Sequence, residues 1–157
     1  MKKIKSTPAF ILLFLLFCIN KTYAHCEIPC GIYEDSLRIN LIKEHIATIE
    51  KSMKMIIKLS EEEKPNYNQI VRWVMNKEEH ANKIQDIVSQ YFLHQRIKIE
   101  EPNNEKSYNN YIKKLTMLHK LLIYAMKTKQ TLDLDYVSKL NKTINNFESV
   151  YFDMHKH

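Results

Sequence analysis

The chain has 157 residues with one glycine, three cysteines, and 24 basic against 18 acidic residues, a formal charge of +6. Four of those bases, Lys2, Lys3, Lys5 and Lys21, fall in the first 24 positions, where there is no acid, so 20 against 18 remain beyond them. A nearly neutral remainder with both signs mixed along every segment has no basic arm or stripe, which excludes nucleic acid as a partner class.

The first element is a leader. Three lysines precede the apolar run Phe10 to Ile19, a polar Asn20-Lys21-Thr22 follows, and Tyr23-Ala24 places a small residue before a cut, the pattern of a secretory signal peptide. The run is too short for an uncleaved span, and a lipoprotein would need Ala or Gly before its modified cysteine, whereas Cys18 follows Phe17 and Cys26 follows His25. The expectation is export, periplasmic or secreted, with signal peptidase cutting after Ala24 and no membrane attachment afterwards. Residues 1–24 are then removed, 25–33 form a metal-binding hook, 34–153 a helical domain, and 154–157 a tail.

Cleavage would make His25 the first residue. Cys18 leaves with the leader, so Cys26 and Cys30 remain. In an exported protein two such cysteines are ordinarily read as a disulfide. Their neighbours turn the reading towards metal. His25 offers an α-amine and an imidazole, Cys26 an amide nitrogen and a thiolate, and Cys30 a second thiolate, all within six residues. A planar set of two nitrogens and two sulfurs suits nickel or copper, and the second cysteine pair of a structural zinc site is missing. Gly31, the one glycine of the chain, directly follows Cys30, where the backbone must turn and a side chain would obstruct it. Pro29 fixes φ just before.

Four amphipathic segments follow, each with apolar residues stepping by threes and fours. The first runs from about Asp35 to Leu59 with Ile42, Ile46, Ile49, Met53 and Ile56 in one stripe. The second, about Asn68 to Ile97, carries Ile70, Val74, Ala81, Ile84, Val88 and Tyr91. The third, about Glu105 to Lys129, carries Tyr108, Leu115, Leu118, Leu122 and Met126. The fourth, about Asp133 to Phe152, carries Val137, Leu140, Ile144, Phe147 and Tyr151. Short polar breaks separate them, around Pro65, around Pro102, and at Lys129 to Asp133, where Thr131 or Asp133 can cap the next helix. The expected fold class is all-α, an antiparallel up-down-up-down four-helix bundle with an N-terminal metal-binding hook. Trp73, Tyr111, Tyr124 and Phe152 lie beyond the four stripes and are expected to meet other subunits.

The nine residues HCEIPCGIY, from His25 to Tyr33, resemble the nickel-hook motif of the nickel superoxide dismutases, His-Cys-x-x-Pro-Cys-Gly-x-Tyr. Lys77-Glu78-Glu79-His80-Ala81, running on to Tyr91-Phe92, resembles that family's second helix, and the resemblance covers residues 25–152. It implies one nickel ion per subunit, held by His25, Cys26 and Cys30, and disproportionation of superoxide to oxygen and hydrogen peroxide by Ni(III)/Ni(II) cycling. It also implies a homohexamer. Tyr33 would stand over the open face of the metal and, with His25, belong to the catalytic set, while Pro29 and Gly31 shape the loop. Glu27 stands where Asp is commoner. The family's Glu and Arg that orient the axial imidazole fall on Asn40 and His80, given one deletion after Tyr33, so these two are the expected outer supports of the site.

The remaining histidines are read more plainly: His45, His94 and His119 as surface or core residues, and His155 and His157 as part of a solvated tail. A di-iron bundle would need Glu-x-x-His pairs, and no histidine here has Glu three residues before it. The alternative of a different class is an exported nickel- or copper-binding protein without turnover.

Overall fold

The computed structural model describes residues 34–153. The expected leader, hook and tail lie outside the described residues. Helix α1 spans Asp35–Ser60, and α2 spans Tyr67–Asp86 and continues directly as a π-helical segment, Ile87–Arg96. Helix α3 spans Glu105–Gln130 and α4 spans Asp135–Asp153. Among the described residues the elements are all helical.

The helices begin where the sequence offers a cap. Asn66 accepts from the Gln69 amide at 3.2 Å and Asn104 from the Ser107 amide at 3.2 Å, satisfying backbone donors that the first turn leaves unpaired. Before α4, Thr131 Oγ1 accepts from the Asp133 amide at 3.3 Å and Asp133 Oδ1 from the Asp135 amide at 2.9 Å. Both residues expected to cap this helix take part.

Contacts between helices establish the topology. Asn76 donates to Ser52 at 2.9 Å, and Tyr91 reaches Asp35, so α1 and α2 run antiparallel. Lys77 meets the end of α3 while Gln85 donates to the Leu122 carbonyl at 3.2 Å, which makes α2 and α3 antiparallel. Lys43 pairs with Glu148 and Asp35 with Tyr151, which closes the ring between α1 and α4. The four-helix bundle expected from the spacing is the one observed.

The stripes of α1 and α4 enter the core as expected: Ile42, Ile46, Ile49, Met53, Val137, Leu140, Ile144, Phe147 and Tyr151 are all buried. The second stripe does so only in its later half, with Ala81, Ile84, Val88 and Tyr91 buried and Ile70 and Val74 half-buried. Phe92 sets its ring edge-on to Phe147 and Tyr151, with centroids 5.1 and 5.7 Å away, the geometry that aromatic quadrupoles prefer. The third stripe needs correction. Leu118 is buried as expected, but its companions are Met117, Leu121, Ala125 and Thr128, whereas Leu115, Leu122 and Met126 are half-buried. The largely apolar stretch from Met117 to Met126, interrupted by His119 and Lys120, offers more than one apolar face, and the face chosen includes Thr128, whose hydroxyl is satisfied by the Ala125 carbonyl at 2.8 Å.

Lys77 is 3% exposed, and its ammonium donates to the carbonyls of Thr128 and Lys129, both at 2.6 Å. These are among the last four carbonyls of α3, which have no partner within the helix. Burial lowers the Lys77 pKa, and Glu78, 3.4 Å away, opposes that shift. The amine joins α2 to the negative end of the α3 dipole. Lys77→Met keeps the apolar stem and strands the carbonyls. We expect a loss of about 1–3 kcal/mol in denaturant unfolding, with helical content unchanged by circular dichroism.

Candidate metal centre

The predicted ligands His25, Cys26 and Cys30, the predicted gate Tyr33, and the loop-shaping Pro29 and Gly31 all lie outside the described residues. The described structure begins one residue after Tyr33, and the first helical residue, Asp35, is the centre of a polar knot. Its Oδ1 accepts from Tyr91 Oη at 2.6 Å and from Arg96 Nε at 2.9 Å, and its Oδ2 accepts from Tyr151 Oη at 2.7 Å. Arg96 Nη2 also donates to Tyr91 Oη at 2.9 Å. One carboxylate thus ties the start of α1 to the end of the second helix and the end of α4.

The π-helical segment makes this convergence geometrically available. In an α-helix residues five apart point about 140° away from each other, so Tyr91 and Arg96 would face different neighbours. Backbone hydrogen bonds spaced by five close the wider turn, as where the Ile97 amide donates to the Phe92 carbonyl at 3.0 Å; the Gln95 side chain adds a bond from Nε2 to the Gln90 carbonyl at 2.9 Å. Near the changeover Ser89 Oγ donates to the Gln85 carbonyl at 2.8 Å, a side-chain insertion of the kind that perturbs the α ladder.

Two more cations gather here. The Arg96 and Arg38 guanidiniums lie 4.7 and 5.3 Å from the Tyr91 ring centroid, and Lys114 Nζ lies 5.7 Å from that of Tyr151. Burial acts to raise the Asp35 pKa, but the hydrogen bonds from Tyr91 and Tyr151 and the charge of Arg96 outweigh it and hold the carboxyl below its ordinary value. Burial, followed by the bond to Asp35, raises the pKa of both tyrosines, so they remain phenolic donors.

The two predicted outer supports are placed separately. Asn40 is exposed on α1. His80 is half-buried on α2 and sets its Nδ1 3.1 Å from Nδ1 of His45, with ring centroids 4.9 Å apart. Its partner is therefore a histidine read from the sequence as ordinary. His94 and His119 are exposed. Among the described residues no group of three or more His, Cys, Asp or Glu side chains could hold a metal ion. Sequence reasoning missed Asp35 and Arg96 and took Tyr91 and Tyr151 only as core. The available signal was a hydroxyl at the end of two different stripes.

The described residues define an all-α, four-helix class of protein. Residues 20–155 match the nickel-containing superoxide dismutase family, and the chain belongs to it. The protein is thus a superoxide dismutase, an oxidoreductase whose cofactor is nickel. Comparison with curated proteins and with solved structures gave no match.

The knot predicts a pH dependence whose sign is set by Asp35. A carboxyl with a lowered folded-state pKa contributes stability that is present above its unfolded value, near 4, and is lost as pH falls through the folded one. Asp35→Asn should unfold more readily at neutral pH by about 1–3 kcal/mol. Its deficit relative to the parent should shrink as the pH drops below about 4. Urea melts at several pH values measure both.

Proposed function

We propose that the nickel of this superoxide dismutase is held by the His25 α-amine and imidazole, the Cys26 amide nitrogen and thiolate, and the Cys30 thiolate, and that this site exists only after cleavage following Ala24. The observation that carries the reading is the donor set: nitrogen and sulfur donors within six residues, of a softness that suits nickel, inside the stretch that matches the family. Bound nickel supplies the one-electron chemistry that disproportionates superoxide.

The chain's own residues do the rest. An uncleaved leader would turn the His25 amine into a peptide nitrogen, so the cut after Ala24 creates a ligand. The cysteines must be thiolates to bind, and binding guards them against the peroxide product, which oxidises free thiolates. Pro29 and Gly31 shape the turn, and Tyr33 orders water and restricts access to small anions. Tyr33 is two peptide links from Asp35, the residue on which the three-helix knot converges.

Asn40 and His80 occupy the positions of the family's orienting pair, and here we assign them the role of outer supports. Export follows from the leader, and assembly as a homohexamer from the family. Trp73, Tyr111, Tyr124 and Phe152 are half-buried, leaving surface for such contacts, and Tyr67, Val71 and Met75, four apart on α2, are exposed. Sedimentation of the mature protein should give a mass near six chains; a monomer would contradict the assembly.

Cys26→Ser or Cys30→Ser should abolish superoxide consumption by the nickel-treated mature chain while leaving the helical circular dichroism unchanged. Protein that binds nickel stoichiometrically but gives no turnover would return the chain to the metal-binding alternative.

A further inference from the structure

His45 on α1 and His80 on α2 present their Nδ1 atoms to each other at 3.1 Å, with ring planes at 73°. Two nitrogens bound to one ion through bonds of about 2.0–2.1 Å, at square-planar to tetrahedral angles, lie roughly 2.9–3.4 Å apart. The pair therefore has the spacing of two ligands on one metal, and at the same spacing one imidazole can donate to the other without an ion. We propose that His45 and His80 form a second metal site, a clamp between α1 and α2 for a borderline divalent ion such as zinc, with water completing the coordination.

Three further observations support the clamp. Each histidine follows a glutamate, Glu44-His45 and Glu79-His80, and both carboxylates act on both imidazoles, favouring positive charge at the pair. Burial, the largest influence on each ring, favours the neutral imidazole that a metal requires, and His80 and Lys83 push His45 the same way. Lys83 is the opposing cation; it is paired with Glu79 at 2.6 Å and is 44% exposed, so its head can turn to solvent. Finally, the pair sits between two cross-ties of the same helices, Asp35–Tyr91 at 2.6 Å and Ser52–Asn76 at 2.9 Å. Ligands on helices fixed from both sides are held ready for an ion. Two protein ligands make this a weaker, exchangeable site, and none of its donors belongs to the hook.

The test uses the mature chain carrying Cys26→Ser and Cys30→Ser, which removes the hook thiolates, with zinc as the probe. An ion that bridges two helices of the folded state raises the melting temperature in a concentration-dependent way; zinc on the terminal histidines does not. The parent should gain several degrees with excess zinc. His45→Ala and His80→Ala should each eliminate the gain and weaken zinc binding about tenfold or more in calorimetric titration, whereas a His155→Ala, His157→Ala pair should leave both unchanged. Cooperative melting of each variant in chelator shows that it folds, and His45→Asn supplies a polar replacement should alanine disturb the helix. No zinc-dependent gain in the parent, or a gain that survives in either single histidine variant, overturns the proposal.

Discussion

The carboxylate of Asp35 is the constraint around which this bundle is organised at one end. Three hydrogen bonds and the Arg96 charge converge on it from the end of the second helix and from α4. Hydrogen bonds to a charged group contribute more than neutral ones, and the two tyrosine rings that donate them pack against Phe92 and Phe147. The requirement that Tyr91 and Arg96 reach the same acceptor is met by the π-helical turn. The local helix type, the aromatic core and the start of α1 thus answer to one side chain.

The far end of α3 is held differently. Lys77 carries one charge into a nearly dry site and spends it on two backbone carbonyls, so α3 ends against α2 without a glycine cap. The chain's one glycine stands in the hook. Between these two polar ties the isoleucines of α1 share the core with Ala81 and Ile84 of α2 and Val88 of the π-helical segment.

Much of this was legible in the residues. The stripes of α1 and α4 repeat cleanly, because their apolar positions are separated by charged ones, and both are buried as read. The Thr131–Asp133 turn announced the start of α4, whereas the caps Asn66 and Asn104 sat unremarked in the polar breaks around Pro65 and Pro102. The family was legible in nine residues, since a motif of adjacent chain positions is a local signal. The knot was not: Asp35 meets residues 56, 61 and 116 positions away, and a reading tuned to steps of three and four separates Tyr91 from Arg96. The α3 face was misjudged because the run from Met117 to Met126 is apolar on several sides and the buried choice includes a threonine. His45 looked ordinary because its partner lies 35 residues away on another helix.

Membership of the nickel superoxide dismutases and the position of the hook lead to one central claim, that the metal site is made by exposing the amine of His25. The most direct measurement compares two purified chains, one beginning at His25 and one with a single alanine added before it, for nickel content and superoxide consumption under identical loading. The account predicts about one nickel per chain and rapid turnover for the first, and loss of both for the second, with the bundle equally folded. Equal activity in the two chains would contradict it.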